Sequence, residues 1–287
     1  MIDGAATGYR PTGTLTFATE LRRQATRRRT QLTLGFVLVL PLIILLAFEL
    51  GRSSSGGGGG SRGQFAALAD IATSGGLNFA LFTLLVSASF LLVVVVALFC
   101  GDTVASEASW GSLRYLLAIP VPRARLLGTK LLVSLLYSAV ALAVLTGTAL
   151  LAGTLRYGWH PLRTTVAGEI ASGPATWRLL GILGYLAVTL LVVAALAFLL
   201  SVSTDAPLGA VGGAVLLQII SAILDQITAL GDLRVVLPSH YSDAWLGLLS
   251  NPVQTEDMVK GAISSLLYAS AFFGLAWYRF VRKDVVS

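Results

Sequence analysis

Six long stretches of the chain contain no Asp, Glu, Lys or Arg, and this feature constrains the fold more than any other. The next-longest such stretch, 244–255, has only 12 residues. A helix that spans about 30 Å of hydrocarbon needs about 20 mostly apolar residues, because it rises about 1.5 Å per residue. None of the six shows the period-2 alternation of a membrane β-barrel. They are 30–48, 71–101, 131–155, 179–204, 206–224 and 261–278.

Composition agrees with a fold embedded in lipid. Of the 287 residues, 55% are hydrophobic and only 12% are charged, whereas a soluble domain carries about 25% charged residues. We therefore predict an all-α integral membrane protein with six transmembrane helices, which form a single domain over residues 1–287. The predicted spans are 31–50, 77–100, 131–154, 179–201, 207–230 and 261–279.

The distribution of basic residues predicts the direction in which the chain crosses the membrane. If the N-terminus is cytoplasmic, the inner segments hold 13 Lys and Arg residues and the outer segments hold 7. Basic residues concentrate on the cytoplasmic side, so we expect both termini inside the cell and a multi-pass protein of the inner (plasma) membrane. This bias explains the net charge of +6 without a nucleic-acid partner.

Two segments outside the spans have distinctive compositions. In residues 14–30, Phe17, Leu21 and Ala25 share one helical face and arginines crowd the rest, which predicts an amphipathic interfacial helix on the inner leaflet. A plain topology signal is the compatible alternative. Residues 51–63 are rich in glycine and serine and predict a flexible outer loop. Neither this loop nor any other part of the chain has the spacing of a phosphate loop, so we expect no ATP hydrolysis by this chain.

The sequence offers no recognisable set of residues for catalysis or metal binding. Cys100 is the single cysteine, and the two histidines, His160 and His240, lie far apart in predicted outer loops. Metal sites and nucleophilic triads need several such groups held together. We therefore predict a non-catalytic subunit with no cofactor or metal of its own, and we expect both histidines at the surface.

The segment 101–130 follows the predicted second span on the cytoplasmic side. We expect it to continue the span as a helix and then form a short helix near 111–118 with an apolar side. Pro120 and Pro122 then force a break, because a residue before proline disfavours the helical conformation. A short helix held below the membrane is suited to docking a soluble partner.

The residues of this segment resemble the hallmark of ABC-2-type transporter permeases. That hallmark runs E-x-x-x-G-[TS]-L-x-x-L-L-x-x-P-[VI]-x-R-(x)6-K between the second and third of six spans. The tail 280–285 is also similar to one common in these permeases. The matching residues are Glu107, Gly111, Ser112, Leu113, Leu116, Leu117, Pro120, Val121, Arg123 and Lys130.

The resemblance implies the membrane subunit of an ATP-binding-cassette exporter. Two such subunits, identical or different, would form the pathway, while separate ATP-binding-cassette ATPase subunits would bind ATP–Mg. Residues 107–118 would be the cytoplasmic coupling helix. The ATPase-coupling residues would be Glu107, Gly111, Ser112, Leu113, Leu116, Leu117, Pro120 and Arg123. The alternatives are a solvated carboxylate for Glu107, a close helix junction for Gly111, and topology or lipid anchors for Arg123, Arg125 and Lys130.

Few polar residues inside the spans are candidates for a function. Gln218, Ser221 and Asp225 are spaced to share one face of a helix, so they could line a translocation pathway or the interface with a second permease. The alternative is a polar packing seam between helices. Glu49, at the outer end of the first span, is expected to be solvated.

We therefore expect an ATP-driven exporter of a hydrophobic or amphiphilic small molecule such as a drug, as in multidrug efflux, since the pathway candidates are mostly apolar. One alternative is a secondary transporter or channel not driven by ATP. A secondary transporter is expected to have inverted repeats, broken helices and several charges at mid-membrane. The sequence shows no obvious repeat. Another is an intramembrane enzyme, which needs paired catalytic groups within a span.

Overall fold

The structure is a computed structural model that describes residues 16–54, 70–109, 123–164 and 168–282. Strands β1 (Leu162–Thr164) and β2 (Gly168–Ile170) pair antiparallel. Two 3₁₀ segments, Thr228–Val236 and Ala244–Leu249, precede the last helix. The α-helices are α1 (Phe17–Ala25), α2 (Arg28–Ser54), α3 (Gly76–Ala88), α4 (Leu91–Ser109), α5 (Arg123–Tyr157), α6 (Ser172–Ser203), α7 (Pro207–Asp225) and α8 (Glu256–Arg282).

Six helices in the described part of the chain are long and apolar enough to cross a membrane. They are Arg28–Gly51, Leu91–Ser109, Ala124–Tyr157, Ser172–Ser203, Pro207–Asp225 and Glu256–Arg282. This confirms a mostly helical protein with six apolar helices of spanning length. The all-α prediction did not include the small sheet that β1 and β2 form between α5 and α6.

The second predicted span, 77–100, is divided in two. Helix α3 ends at Ala88, a turn occupies Ser89 and Phe90, and α4 then continues to Ser109. Helix α3 packs mainly against α5, whereas α4 packs mainly against α6 and α7. The break therefore lets one apolar stretch change its neighbours partway along its length. The fifth predicted span also ends early, because α7 stops at Asp225.

Helices α4 and α6 form the centre of the bundle, and α2, α7 and α8 lie at its periphery. One part of the core includes Phe99 of α4 and Tyr137 of α5, whose ring centroids are 5.8 Å apart, and extends to Ile182 of α6. The other includes Phe198 of α6, whose ring centroid lies 6.2 Å from that of Phe273 of α8. The peripheral helices leave large apolar side chains exposed, as expected for helices whose outer faces contact lipid.

Glycine allows a close helix contact between α3 and α5. A Cβ atom at Gly153 would lie 2.8 Å from the Cβ of Phe79 and 3.1 Å from the Cα of Gly76. The first distance is shorter than real contacts of Cβ atoms and the second is tight, so a side chain at Gly153 would push the two helices apart. Small residues at such positions let helix backbones approach closely in membranes.

One end of the bundle, here called the hairpin end, carries β1, β2 and the two 3₁₀ segments. The side chain of Asn78 donates to the carbonyl of Arg163 at 2.6 Å and accepts from its N–H at 3.1 Å. The guanidinium of Arg178 donates to the carbonyls of Leu248 at 2.9 Å and Ser250 at 3.1 Å. Side chains of α3 and α6 therefore fix the backbone of the connecting segments.

The sequence of residues 231–260 predicts short interfacial or re-entrant helices broken at Pro238 and Pro252, with Trp245 suited to the membrane–water interface. The two 3₁₀ segments lie in this region, and the side chain of Trp245 is only 1% exposed and belongs to the core. Tyr185 on α6 holds the intervening turn through its hydroxyl, which donates to the carbonyl of Tyr241 at 2.6 Å. The segment is thus packed against the bundle and does not lie loosely over it.

Candidate functional site

At the opposite end of the bundle, here called the basic end, charged side chains from α1, α4 and α5 meet in a buried cluster. The Nζ atom of Lys130 lies 2.6 Å from Oε1 of Glu107 and 3.1 Å from Oε1 of Glu20. The side chains of Lys130 and Glu107 are each 2% exposed. A buried charge is costly unless it is paired, so each of these groups depends on the others.

Arginines of α1, of the turn after it and of the first turn of α2 extend the cluster along α4. Nη1 of Arg23 on α1 lies 3.0 Å from Oε1 of Glu107, and Nη1 of Arg29 on α2 lies 2.6 Å from Oδ1 of Asp102. Arg27, in the turn, lies 3.8 Å from both Glu107 and Asp102. The guanidinium groups therefore connect α1 and the start of α2 to two acidic residues of α4.

Helix α1 is positioned by its polar side as well as by its charges. Its buried residues are Glu20 and Gln24, whereas Phe17, predicted on the apolar face, is exposed. The hydroxyl of Tyr137 on α5 donates to the carbonyl of Leu21 at 3.0 Å. Thr16 caps the start of the helix by accepting from the N–H of Thr19. The predicted apolar face of α1 is thus divided, since Phe17 is exposed and Leu21 packs against the core.

A second polar feature lies toward the hairpin end, in a cavity of 420 Å³ bordered by α6, α7 and the turn at 238–243. Gln218 and Asp225, two of the pathway candidates, line this cavity. The third, Ser221, is buried, and its hydroxyl is hydrogen-bonded to that of Ser239 at 2.7 Å. The predicted polar stripe on α7 is therefore divided between a cavity and a packing contact.

The polar wall of the cavity is held by contacts between α7 and the turn. Oδ1 of Asp225 lies 2.6 Å from Nδ1 of His240. His240, expected at the surface, has a side chain that is 25% exposed and paired with Asp225. Asp243 lies on the same wall, where burial and the negative charge of Asp225 raise its pKa above the ordinary value.

Glu49, expected to be solvated, has its Oε2 atom 2.5 Å from Nη2 of Arg156.

The sequence matches a known protein family over most of its length. Residues 42–286 match the family described as "Protein of unknown function (DUF2705)". The chain belongs to the DUF2705 family. No curated protein matches it.

The match corrects the family suggested by the segment 101–130. The assignment to ABC-2-type permeases is wrong, because the family found for this chain is DUF2705 and no ABC-2 permease family was found. The motif behind the resemblance consists of a few charged, small and apolar residues around a helix bend, and such residues have structural uses of their own. In the DUF2705 chain, Glu107 and Lys130 form a buried ion pair with each other.

The structure describes only part of the predicted coupling segment. Glu107 lies near the end of α4, and Arg123 is the first residue of α5. Lys130, interpreted as a possible membrane anchor, is instead buried within the cluster. The remaining predicted coupling residues lie outside the described residues: Gly111, Ser112, Leu113, Leu116, Leu117 and Pro120.

Sequence reasoning missed two acidic members of the cluster, Glu20 and Asp102. Glu20 directly precedes an arginine-rich segment, and Asp102 directly follows the apolar stretch 71–101. An acidic residue in such a position was the available signal. Among the described residues, no group of three or more His, Cys, Asp and Glu side chains is arranged to hold a metal ion. The basic end of this DUF2705 protein is therefore an ion-paired junction, and its hairpin end contains the polar cavity.

Proposed function

We propose that this DUF2705 protein is the membrane subunit of an ATP-driven exporter and that a separate soluble subunit hydrolyses the ATP. The supporting observation is the cluster at the basic end, where Glu107 near the end of α4 meets Lys130 near the start of α5 and Glu20 of α1. Residues 110–122 join these two helices at the same end. A force applied to that connection would act on α1, α4 and α5 together.

The mechanical argument depends on where α4 lies. It is the most buried of the candidate spans and packs against α5, α6 and α7. Packed cores shift between discrete arrangements and do not deform continuously. A displacement of α4 would therefore be transmitted to most of the bundle. If residues 110–122 were not anchored to α4 and α5, a force on them would move only the segment itself and would not displace the helices.

The proposal includes an orientation and a set of partners. The basic end faces the cytoplasm of the inner (plasma) membrane, both termini are inside, and residues 107–118 form a coupling helix that binds the ATPase. Helix α1 lies at the inner leaflet, where the exposed Arg22 and Arg28 attract anionic lipids. A second transport subunit, identical or different, completes the pathway. This chain itself is non-catalytic and needs no cofactor, and its substrate is a hydrophobic or amphiphilic small molecule.

Co-purification and transport together test the proposal. The tagged chain, isolated in mild detergent from its native membrane, should bring with it a soluble subunit that carries a phosphate loop. Vesicles containing both proteins should then accumulate a fluorescent amphiphile only when ATP is hydrolysed. Transport by the chain alone, without any nucleotide, would rule the proposal out.

A matched pair of variants tests the coupling segment. Gly111→Phe, in the proposed coupling helix, should leave ATP hydrolysis by the partner intact while abolishing transport. Gly35→Ala on α2 is the control, because a Cβ atom there would meet nothing within 4 Å. If both variants transport normally, residues 107–118 do not couple the two subunits.

A secondary transporter is the second candidate, and two observations favour it. The helix break at Ser89 and Phe90 falls inside an apolar stretch, and the cavity beside it carries ionisable groups. Broken helices and intramembrane charges are features of ion-driven carriers. The two candidates separate in an uptake experiment, because a protonophore stops an ion-driven carrier while ATP depletion stops the exporter.

A further inference from the structure

The cavity at the hairpin end has two chemically different walls. Leu186 and Val193 of α6 and Ile219 of α7 belong to an apolar wall, whereas Asp225, His240 and Asp243 form the charged part of a polar one. The volume of 420 Å³ falls in the range of about 300–1,000 Å³ that is typical of small-molecule sites. Apolar walls with a few convergent polar groups are the usual composition of such sites.

The charge of the lining has one sign. Asp225 and Asp243 are acidic, His240 is the only histidine among the described lining residues, and none of those residues is Lys or Arg. The nearest basic side chain on the same segment, Arg234, donates to the backbone carbonyls of Gly231 and Asp225 and does not line the cavity. Whether His240 is neutral or protonated, two carboxylates therefore outnumber the cationic groups of the lining.

We propose that this cavity binds an amphiphilic organic cation. The cationic group lies between Asp225 and Asp243, and the apolar body packs against Leu186, Val193 and Ile219. A carboxylate pair in a partly desolvated site attracts a cation more strongly than it would in water, because the local dielectric constant is lower. Asp225 already contacts His240, so a neutral amphiphile would leave chiefly Asp243 without a cationic partner, and an anion would be repelled by both acids.

The position of the cavity connects the bound cation to the proposed function. That the cation is the exported substrate rests on the proposed function. Ala88 and Ser89 at the break before α4, and Val93 in its first turn, line the cavity. Glu107, on the same helix, lies in the ion cluster at the basic end. Glu107 lies 14 positions after Val93, which corresponds to about 21 Å of helix. Helix α4 therefore extends from the proposed ligand site to the end of the bundle where the ATPase is proposed to act.

Binding to the purified full-length chain in lipid nanodiscs tests the inference directly. The probes are tetraphenylphosphonium and tetraphenylborate, which have nearly the same shape and opposite charge, with empty nanodiscs as the background. The wild-type chain should bind the cation with saturation and should show no saturable binding of the anion. Asp225→Asn and Asp243→Asn should each weaken cation binding by about tenfold, because each removes one of two charges that face the ligand.

Asp232→Asn is the matched control, since Asp232 is exposed in the first 3₁₀ segment and does not line the cavity. It should bind tetraphenylphosphonium as the wild type does, and unchanged thermal unfolding of all three variants would exclude misfolding. Equal binding of the cation and the anion, or equal cation binding by the wild type and the Asp225→Asn/Asp243→Asn double variant, overturns the inference.

The same measurement separates this inference from the proposed function. Binding uses the chain without an ATPase, so saturable cation binding would persist if transport proved to be independent of ATP. Conversely, ATP-driven export of a neutral amphiphile, with no saturable cation binding, would support the proposed function and refute the cation site.

Discussion

Lys130 places a full positive charge where its side chain is only 2% exposed, between the carboxylates of Glu107 and Glu20. Lys130→Met keeps the aliphatic stem but leaves these acids without their buried cation. Removing one partner of a buried ion pair costs about 3–5 kcal/mol. Because Arg23 still contacts Glu107, we expect the free energy of unfolding to fall by about 3 kcal/mol, measured by denaturant titration in detergent.

Two further variants test whether the loss of stability arises because the lysine is buried. Lys260→Met on α8 removes an exposed lysine that pairs with Glu256 and should change stability little, since solvent weakens exposed pairs. The double variant Lys130→Met/Glu107→Leu removes both members of the buried pair and leaves Glu20 near Arg23, so it should recover part of the loss. Similar destabilisation by Lys130→Met and Lys260→Met would show that the cluster does not hold α4 and α5 together.

Single residues also show how far the sequence could lead to the site. Helical spacing on α7 was sufficient to single out Gln218 and Asp225, both of which line the cavity. The partner of Asp225, His240, comes from a turn outside any regular helix, where spacing does not predict which atoms meet. Likewise Glu20 contacts Lys130 across 110 positions of sequence. A sequence without aligned relatives carries no record of such pairs.

Among the helices, the contact of α3 with α5 depends on the absence of a side chain at Gly153. Gly153→Ala would place a methyl group 2.8 Å from the Cβ of Phe79, and overpacking of this kind costs about 1–3 kcal/mol. Gly147→Ala on the same helix is the control, because nothing lies within 4 Å of its added Cβ. Alanine there should stabilise the helix by up to about 1 kcal/mol.

Thermal unfolding of the two alanine variants in the same detergent gives the comparison. The unfolding temperature should fall for Gly153→Ala and stay the same or rise for Gly147→Ala. A fall of equal size in both would mean that glycine is needed along α5 for a reason other than the contact with α3.

The number of spanning helices could be predicted from the sequence, whereas the break in the second predicted span could not. Hydropathy reports that a stretch is apolar, and residues on both sides of Ser89 are apolar. The break arises from packing, because α3 and α4 have different neighbours. The β-hairpin was missed for a related reason. Its strands have only three residues each, too few for a period to emerge, and Asn78 of α3 holds one of them in place.

The molecule as a whole has two chemically distinct ends joined by α4. The basic end gathers Glu20, Asp102, Glu107 and Lys130 with the arginines that follow Glu20, while the cavity with Asp225 and His240 lies toward the hairpin end. An exporter needs this polarity, since energy is supplied on one side of the membrane and substrate leaves on the other. The proposed function therefore requires the basic end to face the cytoplasm.

Labelling of single cysteines in intact cells tests that requirement. In a Cys100→Ala background, which removes the buried native thiol, Ser109→Cys probes the basic end and Glu169→Cys probes strand β2. Both positions are exposed. A membrane-impermeant maleimide should label Glu169→Cys in intact cells and Ser109→Cys only after permeabilisation, as the excess of basic residues near Ser109 predicts. The opposite pattern would place residues 110–122 outside the cell, where no cytoplasmic ATPase could reach them, and an ATP-driven mechanism would then be untenable.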